Sequence, residues 1–234
     1  MTGLKNYIRE NSLSLCLIFA TAVAIIVAGI LSEQHILRMI PLFISLIVGM
    51  LQAKASRYAS LVGGINALLY TLVYYFFGLY ASALSALLIS SPFQLATFAR
   101  WSKNSYKHST RFRSLTVFWR IIVALGFAII FAVAYIILTY VGSSYRGLDL
   151  GMSLISVFTS VLTLLSFIEY SWLMLGTGVC SILLDIQMMQ DHPGQITYLI
   201  FSIYSMICII RQFISVRGLY NEQMRGEQNE NAIS

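Results

Sequence analysis

Charge is what this chain has least of. Only 10% of its 234 residues are Asp, Glu, Lys or Arg, against about a quarter in an ordinary soluble domain. It therefore cannot coat a water-facing surface. Cysteine is limited to Cys16, Cys180 and Cys208, all within apolar stretches. That excludes a disulfide scaffold and offers no zinc-ligand spacing; all three read as small core residues. Three histidines are present. His35 stands at a helix start, His108 in a basic loop and His192 in the turn DHPG, none spaced with an acid as metal or acyl-transfer chemistry requires. The phosphate-binding pattern G-x-x-x-x-G-K-[ST] is missing. No catalytic residue, metal or cofactor is expected.

Long apolar runs take the place of charge. Hydrophobic residues make up 58% of the chain and mean hydropathy is +0.79. A bilayer core about 30 Å thick needs roughly 20 apolar residues per helix. Eight windows qualify: 12–32, 35–53, 58–78, 80–99, 117–141, 149–168, 171–190 and 195–214. The fold class expected is an all-α polytopic membrane protein. No small-residue cleavage site follows at Leu31–Glu33, so the first run reads as a retained span and not a signal peptide. With the N-terminus inside, thirteen of the fifteen Lys and Arg residues fall on the cytoplasmic side and only Arg38 and Arg146 outside. That bias places both termini in the cytoplasm. The basic loop 100–113 then serves topology and lipid headgroups, not nucleic acid. The polar tail 221–234 (NEQMRGEQNENAIS) is expected to be disordered.

A repeat is visible inside the chain. An offset of 113 sets Gly63 on Gly176 and YASLVGGINALLYT (58–71) on SWLMLGTGVCSILLD (171–185). Spans two to four (35–100) and six to eight (149–214) become two three-helix units, with a linker segment (101–148), an added first helix (1–34) and a tail (215–234). Three crossings leave a unit on the opposite side from where it began, so span five restores the orientation of the second. This 1+3+1+3 layout gives parallel repeats, a transporter signature with the substrate site near the midplane.

Several stretches resemble one family. Gly63-x-x-Asn66, then Leu79-Tyr80-Ala81-Ser82, then Ala99-Arg100-Trp101-Ser102, with Trp172 opening a later span and Tyr198 in the last, are similar to the PnuC-type vitamin and nucleoside transporters over residues 35–214. The resemblance implies facilitated uptake of nicotinamide riboside, trapped afterwards by phosphorylation, with no energy coupling; thiamine, deoxynucleosides and riboflavin are the alternatives. It also leaves room for a homotrimer. The family's W-x-x-W-x-x-x-N motif is incomplete here: counted from Trp172, Leu175 and Val179 replace the second Trp and the Asn.

Polar residues at membrane depth mark the candidate site. Asn66 falls about 12 Å into its span, where an amide can donate and accept or bind a neighbouring helix. Tyr70, one turn further, shares its face. Gln94 follows Pro92, whose ring frees a carbonyl. Trp172 could stack on a ring or cation or sit in an interfacial belt. Asp185, about 20 Å up the helix from Trp172, could meet a cationic substrate or simply reach external water or a neighbouring helix. Tyr198 offers a further stacking face. A scaffold subunit would need none of these, and no second acid accompanies Asp185 for enzyme chemistry.

Overall fold

The computed structural model describes residues 2–141 and 145–233. Nine α-helices account for nearly all of them: α1 (Thr2–Leu31), α2 (Ile36–Ala53), α3 (Tyr58–Phe76), α4 (Tyr80–Ser85), α5 (Ser91–Lys103), α6 (Val117–Val141), α7 (Arg146–Leu164), α8 (Tyr170–Met188) and α9 (Ile196–Ile233). A π-helical turn, Ala86–Ser90, joins α4 to α5. It lies just before Pro92, which has no N–H to give the carbonyl four residues earlier, and the wider turn absorbs that mismatch. Seven helices are long and apolar enough to cross a membrane, counting α4 to α5 as one (Tyr80–Lys103). α2 supplies a shorter apolar stretch, Arg38–Ala53, interrupted by Pro41.

Six helical columns close into a ring. α2 packs on α3, α3 on α5, α4 and α5 on α7, α7 on α8, α8 on α9, and α9 back on α2. α1 lies outside against α9 and α2, and α6 outside against α7. No part of the apolar window of α6 is buried within the chain, as expected of a helix that faces lipid. The first helix of each triplet thus packs on the last helix of the other, and both seams are hydrogen-bonded. On one, the hydroxyls of Tyr198, Tyr204 and Ser215 on α9 donate to the carbonyls of Arg38, Leu46 and Ala53 at 2.9, 2.7 and 2.9 Å. On the other, Asp149 at the start of α7 is fully buried. It accepts from the backbone N–H groups of Ala81 and Ser82 at 3.3 and 3.2 Å and from the Ser82 hydroxyl at 2.6 Å. A carboxylate there satisfies the open donors at the start of α4 and is favoured by the helix dipole.

Two glycines sit where neighbouring helices approach closely. An added Cβ on Gly63 would lie 2.2 Å from Gln94 Oε1, and one on Gly178 would lie 2.7 Å from Met206 Sδ and 3.2 Å from Ile209 Cδ1. An offset of 115 fits these contacts better than 113, since it sets Gly63 on Gly178 and Gln94 on Ile209. Trp101 and Val216, paired by the same offset, are both buried. Gly176 instead has only Ile155 Cδ1 near it, at 3.8 Å. Gly178→Val is accordingly expected to cost about 1–3 kcal/mol through overpacking, read as a lower unfolding temperature in detergent. Gly176→Ala should be neutral or slightly stabilising, since alanine is the better helix former.

The tail is not disordered. α9 continues to Ile233, and only Ser234 of the expected segment lies outside the described residues. Glu, Gln, Met and Arg there are good helix formers, and the extension has a partner. A two-stranded hairpin, Ser105–Tyr106 with Ser109–Thr110, occupies the basic loop. Gln223 accepts from Phe112 N at 3.0 Å and donates to Thr110 O at 3.1 Å.

Candidate functional site

Three cavities stack along the axis of the ring. The central one, about 240 Å³, is bounded by Ser45, Asn66, Tyr70, Gln94, Ser156 and Ser181 among others. A second of about 240 Å³ lies toward the end carrying the basic hairpin and shares Gln52, Gln94, Ser156, Thr177 and Ser205 with the first. A third of about 150 Å³ lies toward the far end and shares Tyr70, Tyr74, Met152, Ser181 and Phe201 with the central one. Asp185 lines the far-end cavity and is the one charged side chain among the described residues lining the three.

Asn66 is buried in the central wall. Its Nδ2 donates to Pro41 O at 3.0 Å and to Ser45 Oγ at 2.7 Å, which uses both protons. Its Oδ1 has no donor among the described residues. Ser45 in turn donates to the Tyr70 hydroxyl at 3.0 Å. The tether thus fixes an amide acceptor and a phenol one helical turn apart on the cavity wall. Tyr70 and Tyr74 stack with centroids 5.4 Å apart and planes 26° from parallel, making an aromatic face above them. Gln94 closes the other side, its amide folded over Gly63.

Asp185 does not reach water. It is 6% exposed and accepts from Gln195 Nε2 at 2.7 Å and from Ser202 Oγ at 2.5 Å. Ser202 and Ser181 hydroxyls lie 2.9 Å apart. Tyr198 lines the same cavity, its ring meeting Phe77 edge-on at 5.7 Å. Beyond the spans, Tyr145 donates to Asp191. Desolvation and that carboxylate push its phenol up to about 12.

Trp172 stands apart. It is 56% exposed on the outer side of α8, its ring edge-on to Phe213 at 4.7 Å with the Arg217 guanidinium 4.9 Å above it. Val179 also faces outward, 47% exposed. The three-then-four spacing that the sequence analysis counted from Trp172 falls on the cavities when counted from Met174: Met174, Thr177 and Ser181 all line them. Helix α8 is thus rotated from the expected register, and its inward face carries Tyr170 at the hairpin end but no tryptophan.

Other lining residues escaped the sequence reading. Gln195 in the far-end cavity and Gln212 in the hairpin-end cavity were two of them. A polar stripe on α7, Ser153, Ser156, Ser160 and Thr163, lines the stack at helical spacing. That periodicity on an otherwise apolar helix was the available signal.

Among solved structures, the crystal structure of the vitamin B3 transporter PnuC is similar to this chain with a TM-score of 0.75 and 20% identity, covering 90% of this chain and 92% of that one. At that identity the likeness speaks for the fold. No curated protein matches the chain in sequence. Residues 35–214 match the family described as nicotinamide mononucleotide transporter, and the matched span holds the whole ring of helices. The chain belongs to the nicotinamide mononucleotide transporter family.

Proposed function

We propose that this chain carries an unphosphorylated, cationic vitamin precursor, nicotinamide riboside first, down its gradient through the ring of helices. One observation carries the reading: the stacked cavities are lined by hydroxyls, amides and tyrosines, with one carboxylate and no Lys, Arg or His among the described residues. A phosphate monoester, as in the mononucleotide of the family's name, would enter with about two negative charges near neutral pH and find no counter-charge. A positive ring nitrogen would find Asp185. Asn66, Tyr70 and Gln94 suit a carboxamide or sugar hydroxyls, and the Tyr70–Tyr74 pair offers a face to stack on. Trp172 has no part in this site.

Eight crossings in a 1+3+1+3 arrangement, with α2 as the short crossing, fit the ring and its two seams. Thirteen basic residues against two favour the hairpin end and both termini in the cytoplasm of a bacterial inner membrane. Rocking of the two triplets about those seams would expose the cavities alternately, and phosphorylation inside would trap the product. Thiamine is the second substrate reading, because it too carries a positive ring.

A thermal-shift panel tests this. Nicotinamide riboside at 100 times its dissociation constant should stabilise the purified protein by about 2.7 kcal/mol, and nicotinamide mononucleotide should not. A shift with thiamine alone would move the assignment to thiamine. A shift with the mononucleotide as large as with the riboside would defeat the charge argument.

A further inference from the structure

The cavity at the hairpin end has a chemistry of its own. Gln212 on α9 is 5% exposed and lines it. Its Nε2 donates to the Tyr170 hydroxyl at 3.2 Å, which fixes the amide, while its Oε1 has no donor among the described residues. The Thr159 hydroxyl on α7 lines the same cavity and is also buried without a partner. It differs from four of its neighbours. Thr97, Ser160, Thr163 and Thr177 each donate to the carbonyl four residues earlier, the usual solution for a hydroxyl in a helix. Buried polar groups are nearly always paired, so two orphans in the walls of one cavity call for an explanation.

The walls narrow the ligand class. Trp101 and Tyr170 are both buried, with ring centroids 6.4 Å apart. The Trp101 indole is held by its Nε1 donating to Thr163 O at 3.0 Å. Among the described residues no charged side chain lines the cavity. An amide oxygen that can only accept, a hydroxyl that can accept or donate, and two fixed aromatic rings suit a neutral ligand portion rich in hydroxyl donors. They do not suit an anion, which Gln212 Oε1 would repel.

We infer that this cavity is a second ligand subsite, which holds the sugar of a nucleoside between the central cavity and the hairpin end. The inference rests on the transport reading above. Gln94 stands at the neck, since it lines both cavities and folds over Gly63. The sugar leaves the Asn66 and Tyr70 groups, passes Gln94, and is received by Gln212 Oε1 and Thr159 Oγ1. A nucleoside thus has two resting places on one path.

Thr159→Val tests it directly, because it swaps a hydroxyl that makes no bond in the fold for a methyl of the same shape. The probe is radiolabelled nicotinamide riboside, read as equilibrium binding to purified protein and as uptake into proteoliposomes. Thr159→Val is expected to slow uptake by roughly fivefold or more with the unfolding temperature unchanged. Asn66→Leu is expected to keep a weak binding component that disappears when Thr159→Val is added. Gln212→Leu should act like Thr159→Val. If wild-type protein binds and transports the riboside while Thr159→Val matches it in both assays, the second subsite is overturned and the transport reading stands. If wild-type protein binds no nucleoside at all, both fall together.

Discussion

Asn66→Leu is expected to lower nicotinamide riboside affinity by about a hundredfold and to reduce uptake accordingly. The exchange keeps the volume and removes a buried amide oxygen that has no donor among the described residues. A ligand group desolvated against leucine where it had met an acceptor loses about 1–3 kcal/mol, and each 1.4 kcal/mol is tenfold in affinity. Loss of the tether adds to this, because Ser45 then holds Tyr70 without the amide that positions it. Ser45→Ala separates the two contributions. It removes the hydroxyl between Asn66 and Tyr70 but leaves Oδ1 in place through the bond to Pro41 O, so its cost should stay near threefold to tenfold. Uptake into vesicles with a parallel unfolding curve reads both. Wild-type uptake by Asn66→Leu would remove the central cavity from the path.

Asn66 was legible in the sequence because a lone amide in lipid must find partners, and its helix follows the basic stretch KASR (54–57) and ends before Gly78. The spans were legible for the same reason: every backbone group must be satisfied within the membrane, which enforces long uninterrupted apolar runs. Rotation of a helix is a subtler matter. Trp172 drew the eye on α8, yet a tryptophan near a helix end is equally at home stacked under Arg217 at the surface. A shift of two residues turns a helix by about 200°, so starting from Trp172 and not Met174 aimed the whole motif at lipid. Apolar content alone cannot reveal that error. Thr177, Ser181 and Asp185, spaced four apart on α8, carried the information, since polar residues at helical spacing mark the cavity side.

Other features depended on partners remote in the chain. Asp149 carries no local signal of its role, and only the fold brings Ser82 to it. The tail looked too polar to order, and only the hairpin gives Gln223 something to hold. Each needed a contact made across more than sixty residues of sequence. Local pattern holds no trace of such contacts.

Asp185→Asn is expected to remove transport of cations and spare neutral substrates. A unit charge about 6 Å from a ligand cation at an effective dielectric of about 20 contributes close to 3 kcal/mol, so cationic nicotinamide riboside or thiamine should lose about a hundredfold in affinity. Neutral thymidine or riboflavin, where carried at all, should change by about threefold or less. The variant has a route to keep its fold. Asp185 now accepts from Gln195 Nε2 and Ser202 Oγ. An introduced side-chain NH₂ would face that Nε2, but Gln195 Oε1 is unpartnered. The glutamine amide can turn to accept while Ser202 keeps its acceptor. The informative quantity is therefore the ratio of cationic to neutral uptake in the same vesicles, because a general loss of folded protein cancels from it. A fall in that ratio makes Asp185 the charge that selects the substrate. An equal fall for both classes would make it a pin between α8 and α9, and the cavity's preference for cations would then need another origin.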